Sequence, residues 1–429
     1  MTQPKFIVVL LLLFMLSGCS SVRTTPGSQP GPKETPTPAP PAPTITPTIS
    51  LKGTAQADFL ENSIDLTSSA FESAKVDEFL VLAVLYSPDH DYSFYDMKNK
   101  KIVDIGKNDE AIKIYSVSPN RKLILAGACP TDKCNYFLRT VDKIIKTHIP
   151  TGDDWIVLRW LDNERVVFLP RLQPNQPLQP QNEVIYNVFT GEKSDLHLYL
   201  PNPKTINDNG GPGNLFEASL DPSLKRVVYN DRSGRLVLWN LDTKKEMASL
   251  SSEADASQWG SDGWSPDGKK FITISPNRFQ STSSGESIPA ANELFMFDTD
   301  GNLTQLTRYN QDLQYANIDL PLWSPDNRRI AFGLTIGDDS SNPENFQRWL
   351  AIFDTNTLET KLYRSAPNAI VSASDIISLS SLGLVWSPDG QQLIVRGWDR
   401  NLTVVDLAHE TKSVIPDTEG TWAEDWIAP

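Results

Sequence analysis

Seven times along this 429-residue chain a short apolar run ends at an Asp, or once at a Thr, that opens a tight turn into a second short run. These corners are Asp96, Asp142, Thr190, Asp242, Asp298, Asp354 and Asp406, at successive spacings of 46, 48, 52, 56, 56 and 52 residues. A period of this size marks a repeat architecture, in which each unit is too small to bury its apolar face alone. The residue types suit hairpin corners, because an Asp side chain accepts hydrogen bonds from backbone N–H groups a residue or two on.

The unit is clearest near the C-terminal end. Leu384-Val385-Trp386 closes a first strand, Ser387-Pro388-Asp389-Gly390 makes a tight turn, and Gln392 to Arg396 forms a second strand. Leu402 to Val405 is a third, ending at Asp406, and Lys412 to Ile415 a fourth. Proline presets the first turn angle, Asp bonds back to the chain and Gly takes the left-handed position. The plan recurs at Trp264-Ser265-Pro266-Asp267-Gly268 and Trp323-Ser324-Pro325-Asp326-Asn327, and in weaker form at Val117-Ser118-Pro119-Asn120, Trp160-Leu161-Asp162-Asn163 and Leu220-Asp221-Pro222-Ser223. Runs such as Lys270 to Ile274 are β-rich and too short for buried helices. The expectation is an all-β fold, a seven-bladed β-propeller of four-stranded blades. The first unit supplies only three strands, at Phe79 to Tyr86, Ser93 to Asp96 and Lys101 to Ile105. A fourth comes from the C-terminal run Thr421 to Ile427, which closes the ring and removes exposed sheet edges. The alternative is that residues 59 to 71 provide it.

These units resemble the propeller repeats of TolB: Trp-Ser-Pro-Asp-Gly, then an apolar–Asp corner such as Phe297-Asp298-Thr299-Asp300-Gly301-Asn302-Leu303, then Gln305-Leu306-Thr307. Propellers of prolyl-oligopeptidase-type peptidases carry similar units. The resemblance covers roughly residues 79 to 429 and implies the fold. It implies no catalytic role, because the α/β domain that precedes the TolB propeller and the peptidases' hydrolase domain both lack room here.

The N-terminus predicts a compartment. Lys5 precedes an apolar stretch from Phe6 to Leu16, followed by Ser17-Gly18-Cys19. That stretch is shorter than the roughly 20 residues needed to span a bilayer and has the flanks of a secretory signal. Small residues before a cysteine resemble a bacterial lipobox, so residues 1–18 are expected to be a lipoprotein signal peptide and Cys19 the lipidated, palmitate-carrying end. Residues 19–52 are expected to be a disordered tether, with nine prolines and eleven Ser or Thr between 20 and 50. Residues 53–429 form the propeller. The expected location is a membrane, outer where there is one, facing outside the cytoplasm. The net charge of −14 suits neither nucleic acid nor anionic lipid, both of which attract Lys and Arg. The remaining cysteines, Cys129 and Cys134, sit in Cys-Pro-Thr-Asp-Lys-Cys and predict a disulfide outside the cytoplasm.

Loop lengths point to a working face. In a four-stranded blade the first and third turns open on one rim, and the other connections on the opposite rim. The Ser-Pro-Asp turns and Asp corners are tight. The long stretches, Arg171 to Asn182, Ser275 to Asn292, Gly337 to Gln347, Pro201 to Asn214, Arg308 to Asn317 and Arg364 to Ser378, all fall on the other rim. Long loops on a rigid scaffold are where binding resides. The candidate rim residues are Arg171, Arg278, Phe279, Arg308, Tyr309, Asp338, Asp339 and Trp398. Chemistry is sparse. The four histidines, His90, His148, His197 and His409, are scattered, no Gly-x-Ser-x-Gly elbow occurs, and innermost-strand acids appear singly at Glu217, Asp262 and Asp319. The composition predicts no cofactor and no metal. It predicts a monomeric, non-catalytic binder of a protein or cell-envelope component, the alternatives being a glycan or small-ligand binder and a propeller hydrolase or lyase.

Overall fold

Runs rich in Val, Ile, Phe and Tyr, two to nine residues long and bounded by turn residues, pair with their sequence neighbours into antiparallel sheets. A computed structural model describes residues 63–72, 78–84, 92–104, 112–128, 135–146, 149, 155–170, 182–198, 200–204, 218–251, 263–276, 279–281, 287–289, 291–313, 315–337, 346–364, 384–396 and 401–427. All of them lie in the second of two compact units, Pro43–Pro429. The expected signal, tether and lipidation site at Cys19 lie outside the described residues.

The fold is a seven-bladed β-propeller. Blade 1 orders its strands as Thr421–Ile427, Phe79–Val84, Tyr92–Asp96 and Lys101–Asp104, so the C-terminal run supplies its innermost strand. Blade 2 is Ile112–Val117, Ile124–Ala128, Asn135–Arg139 and Ile144–Lys146. Blade 3 is Trp155–Trp160, Arg165–Pro170, Asn182–Asn187 and Lys193–His197, and blade 4 is Ala218–Leu220, Arg226–Asn230, Leu236–Asn240 and Lys245–Leu250. In blade 5 a bridge from Trp264 to Phe271 stands for the first strand, followed by Lys270–Ser275, Glu293–Asp298 and Leu303–Gln305. Blade 6 is Tyr315–Trp323, Arg329–Gly337, Gln347–Asp354 and Glu359–Arg364. Blade 7 is Val385–Trp386, Gln392–Arg396, Leu402–Asp406 and Thr411–Val414. Of the alternative stretch 59–71, the described residues 63–71 do not close blade 1. Instead Ile64–Asp65 adds in parallel outside blade 6, and Thr67–Ser68 outside blade 7.

The core is distributed. Among the described residues the buried apolar side chains form seven clusters, one at each interface between consecutive blades, including blade 7 against blade 1. The repeated tryptophans make those interfaces. Trp160, Trp264, Trp323 and Trp386 are 1–6% exposed, and each Nε1–H donates to an innermost-strand carbonyl of the preceding blade. The acceptors are Ser116 at 3.3 Å, Ser219 at 3.1 Å, Gly263 at 3.0 Å and Leu322 at 3.2 Å. A tryptophan here fills a gap with its ring and satisfies its one donor across the same gap.

One rim is stitched. The hydroxyls of Ser118, Ser265, Ser324 and Ser387 each donate to the turn's Asn or Asp side chain and accept from a backbone N–H five residues on. The fourth turn position is left-handed in blades 2, 4, 5, 6 and 7, at Gly268 and Gly390 and also at Arg121, Leu224 and Asn327, with φ between 59° and 69°. Adjacent turns then bond to each other: Asn120 N–H to Asn163, Asp267 N–H to Asn327, and Arg165 Nη2 to the Pro222 carbonyl, at 2.8, 2.8 and 3.0 Å. The corners differ from the sequence expectation in three blades. Two backbone N–H groups bond each of Asn187 and Asn240, and one bonds Thr140, at the end of the third strand where the sequence placed the corners at Thr190, Asp242 and Asp142; Thr190 accepts only from Glu192 N–H.

The Asp354 corner carries a pH signature. For Asp354, burial pushes the carboxyl up, but bonds from Arg328 and from the N–H groups of Asn356 and Thr357 outweigh it and hold the carboxyl below 3.8. A depressed folded value contributes stability that is present above 3.8 and lost as pH falls through the folded value. Asp354→Ala is expected to lower the unfolding free energy by about 2 kcal/mol at neutral pH. In urea titrations the gap to the wild type should close as the pH drops below the unfolded value.

The Cys129–Cys134 disulfide expected from sequence is withdrawn. No disulfide bond is found among the described residues, and Cys129 and Cys134 lie outside them.

Candidate functional site

The second rim, where second strands end and third and first strands begin, is built differently, and blade 6 shows its foundations best. Asp319 stands on the innermost strand and Arg348 on the third strand, and Arg348 Nη2 meets Asp319 Oδ2 at 3.2 Å with the two side chains 7% and 17% exposed, Arg348 the lower. Burial pushes the Asp319 carboxyl up, with Arg348 pulling it back, and burial pushes the Arg348 guanidinium down. Charges removed from water in this way are costly even when paired.

Local backbone sets up the pair. The register of Tyr315–Trp323 against Arg329–Gly337 slips between Asp319 and Leu322, and Leu320 is held at φ 46°. A bulge of this kind re-aims neighbouring side chains and is common beside functional sites. Toward the rim, Tyr315 stacks on Phe346 with ring centroids 4.7 Å apart and planes 6° from parallel. Gly337 lies against the same ring. A Cβ there would come within 2.3 Å of Phe346, so only glycine admits the stack. Stack and ion pair brace both feet of the connection between Gly337 and Phe346.

Beside it, the connection from blade 5 to blade 6 is pinned by Glu293. The carboxylate accepts from Thr307 Oγ1 at 2.6 Å and from Asn310 N–H at 2.7 Å, while Asn310 Oδ1 accepts from Ala316 N–H at 2.8 Å. Burial pushes Glu293 up, although these bonds oppose it. The short helix Tyr309–Asp312 is thereby held in place, and the Tyr309 hydroxyl bonds Thr360 at 2.6 Å.

Bulges recur on innermost strands and set which residue is left unpaired. The skipped residue stands two before the repeated Trp position: Tyr115 before Val117, Leu158 before Trp160 and Glu424 before Trp426. Glu424 keeps water contact while protein encloses it, and that enclosure, with Asp425 next in line, pushes its carboxyl up. Asp425 is pushed up by burial, with Arg121 at 3.4 Å pulling it back. At the start of this strand the half-buried Trp422 lies under the Arg396 guanidinium, 5.6 Å from the ring centroid.

The candidates named from sequence fall unevenly. Tyr309 is 2% exposed and holds a loop in place, and Arg308 is half-buried with an Nε that makes no hydrogen bond. Phe279 belongs to a two-stranded hairpin, Phe279–Ser281 with Ser287–Pro289. Arg171, Arg278, Asp338, Asp339 and Trp398 lie outside the described residues, as do the innermost-strand acids Glu217 and Asp262. Asp319 is brought together with Arg348 and Tyr315, two residues that sequence reasoning missed. The available signal was Arg348 itself, a lone charge entering the run Trp349-Leu350-Ala351-Ile352-Phe353. His409, the one histidine whose side chain is described, sits 77% exposed on the Asp406 corner, 3.1 Å from its carboxylate. Among the described residues no group of three His, Cys, Asp or Glu is placed to hold a metal ion.

No family model matches the chain, and no curated protein matches it. Solved structures do. TolB from Acinetobacter baumannii is 14% identical over 78% of each chain, with a TM-score of 0.37. An oligogalacturonate lyase from Vibrio parahaemolyticus is 11% identical over 80% of this chain and 86% of its own, with a TM-score of 0.48. An oligogalacturonate lyase in complex with manganese is 12% identical over 79% and 85%, with a TM-score of 0.44. Likeness at this level carries no chemistry across, and the propeller assignment rests on the seven sheets and seven interfaces themselves.

Proposed function

We propose that this chain is a lipid-anchored, extracytoplasmic propeller that binds a protein or another cell-envelope component through its long-loop rim, without catalysing a reaction. The carrying observation is the contrast between the rims. One is closed by turn-to-turn hydrogen bonds that leave little to adapt. The other carries the long connections, and in blade 6 their feet are braced by the Asp319–Arg348 pair and the Tyr315–Phe346 stack. Rigid feet under long loops are the arrangement that presents binding residues at low entropic cost. Anchoring through Cys19 rests on the apolar stretch and lipobox-like residues of the sequence.

The test replaces residues 171–181, 277–290 and 338–345, between the fixed feet, with tight turns, one at a time and together. Each variant is expected to keep the wild-type melting behaviour and to lose capture of the partner pulled down with the wild type from detergent-solubilised membranes. Undiminished capture by the triple variant rejects the rim. Metabolic labelling with a palmitate analogue, abolished by Cys19→Ser, tests the anchor separately.

A second reading, a binder of glycans, is favoured by one feature. Trp422 with Arg396 at the same rim offers an aromatic face beside a cation, a pairing suited to an acidic sugar. Trp422→Ala abolishing binding on a glycan array, while leaving protein capture unchanged, would select it.

A further inference from the structure

The segment 64–71 does something no repeat unit does: it crosses the outside of three blades. Ile64 and Asp65 pair in parallel with Tyr363 and Arg364 of blade 6, and Thr67 and Ser68 with Thr411 and Lys412 of blade 7. Thr67 N–H donates to the Glu410 carbonyl at 3.2 Å and Ser69 N–H to the Lys412 carbonyl at 2.9 Å. Between the two pairings Leu66 turns inward. It is 7% exposed, in the cluster formed by Tyr363 of blade 6 with Trp386, Val395 and Val405 of blade 7. Farther on, Phe71 meets Tyr95 of blade 1 edge to face at 6.4 Å, and Lys100 covers its ring and bonds its carbonyl.

Each part of this attachment is slight. Two residues pair on each blade, Asp65 is 79% exposed against Arg364 at 3.5 Å, and Thr67 to Ala70 are exposed. Only Leu66 is deeply seated. The two sheet edges and the pocket between them nevertheless form a receptor for an extended chain: edge carbonyls and N–H groups for its backbone, and an apolar hole for its central side chain. Adding a strand to an open edge, with pockets reading alternate side chains, is a general mode of peptide recognition.

We propose that the outer groove between blades 6 and 7 is a binding site for an extended peptide carrying one central apolar residue. The chain's own Ile64–Ser68 occupies that site as a reversible latch. Blades 6 and 7 each keep four strands without the latch, with Tyr315–Trp323 and Val385–Trp386 innermost, and the ring is closed in blade 1 by Thr421–Ile427. Release therefore uncovers the groove without opening the ring. The latch is tethered to the ring it occupies, so its effective concentration is high, and a competing peptide binds with an affinity reduced by the closed fraction.

The test uses the full chain and a fluorescent peptide of residues 63–72. Leu66→Asp removes the seated side chain from the latch while leaving the groove walls untouched. The labelled peptide is expected to bind this variant at least ~10-fold more tightly than it binds the wild type, and a peptide carrying Leu66→Asp is expected to bind neither. Equal affinity for variant and wild type, or no binding to either, overturns the proposal. A circular-dichroism melt checks that the variant is folded, and Leu66→Ala replaces it if it is not. Hydrogen exchange on the wild type tests the latch independently. Thr67 and Ser69 amides are expected to exchange at least ~10-fold faster than those of Ile394 and Val404 in blade 7. Exchange of both sets at one rate would make the segment part of the cooperative ring and sink the latch.

Discussion

A chain ending at Glu419 is expected to lose cooperative unfolding altogether, although it keeps every residue of blades 2 to 7. The missing strand, Thr421–Ile427, is the innermost of blade 1 and pairs with Phe79–Val84 along its whole length. It serves two interfaces: Ala423 and Trp426 belong to the cluster between blades 7 and 1, and Ile427 to that between blades 1 and 2. Trp426 is 1% exposed, and cutting it to Ala should cost about 3–5 kcal/mol, a large part of the ~5–15 kcal/mol that holds a typical domain. The seam also supplies an internal control. Trp426 Nε1 makes no hydrogen bond, whereas Trp323 Nε1 donates to the Gly263 carbonyl at 3.0 Å. Changing Trp323 to Phe removes one of the two bonds at the Gly263 carbonyl, which keeps Ile272 N–H at 2.8 Å, while Trp426→Phe removes none, so Trp323→Phe is expected to cost about 1 kcal/mol more in urea unfolding. A cooperative transition retained by the truncated chain would mean that Phe79–Val84 needs no partner from the C-terminus.

The closing strand was legible because the first unit supplies only three strands and a short run with two tryptophans stands at the C-terminal end. The blade plan was legible because turn chemistry repeats at fixed distance. What failed to read out has physical causes. The corners at Asn187 and Asn240 were displaced because the eye follows Asp, whereas the backbone needs only an acceptor at the end of the third strand. Glu424 was missed because it lies in the closing strand at the far end of the chain, where a bulge that sequence does not display leaves it unpaired. The latch was legible only as a stretch, 59–71, that could add a strand to blade 1, and not as two short pairings on blades 6 and 7. Strands of two residues have no periodicity, and their partners lie some three hundred residues away, at Tyr363 and Thr411. The tight rim could be derived from sequence in detail, because its chemistry is local. The working rim could be located but not composed, since Asp319 and Arg348 are brought together only by the third dimension.

Asp319→Ala is expected to destabilise the protein by about 3–5 kcal/mol, because it leaves the Arg348 guanidinium buried without a countercharge. Asp319→Leu combined with Arg348→Met should recover most of that loss, since the pair's attraction only offsets the cost of taking two charges out of water. The pH dependence separates this reading from one in which Asp319 is an ordinary surface acid. Its carboxyl is raised above 3.8 by burial. A raised folded value gives stability that is fully present below the unfolded value and is lost as pH rises through the folded one. The wild type should therefore lose ground relative to Asp319→Asn as pH climbs above 3.8, the reverse of the trend expected for Asp354. The double variant then carries the functional argument. A costly ion pair at the foot of the 337–347 connection, beside a backbone bulge, is retained at the expense of stability. If it is kept to hold that loop for a partner, the Leu–Met variant should melt at or above the wild-type temperature and bind the partner at least ~10-fold more weakly. Normal binding by a stable double variant would assign the pair to strand register alone and move the working site to another blade.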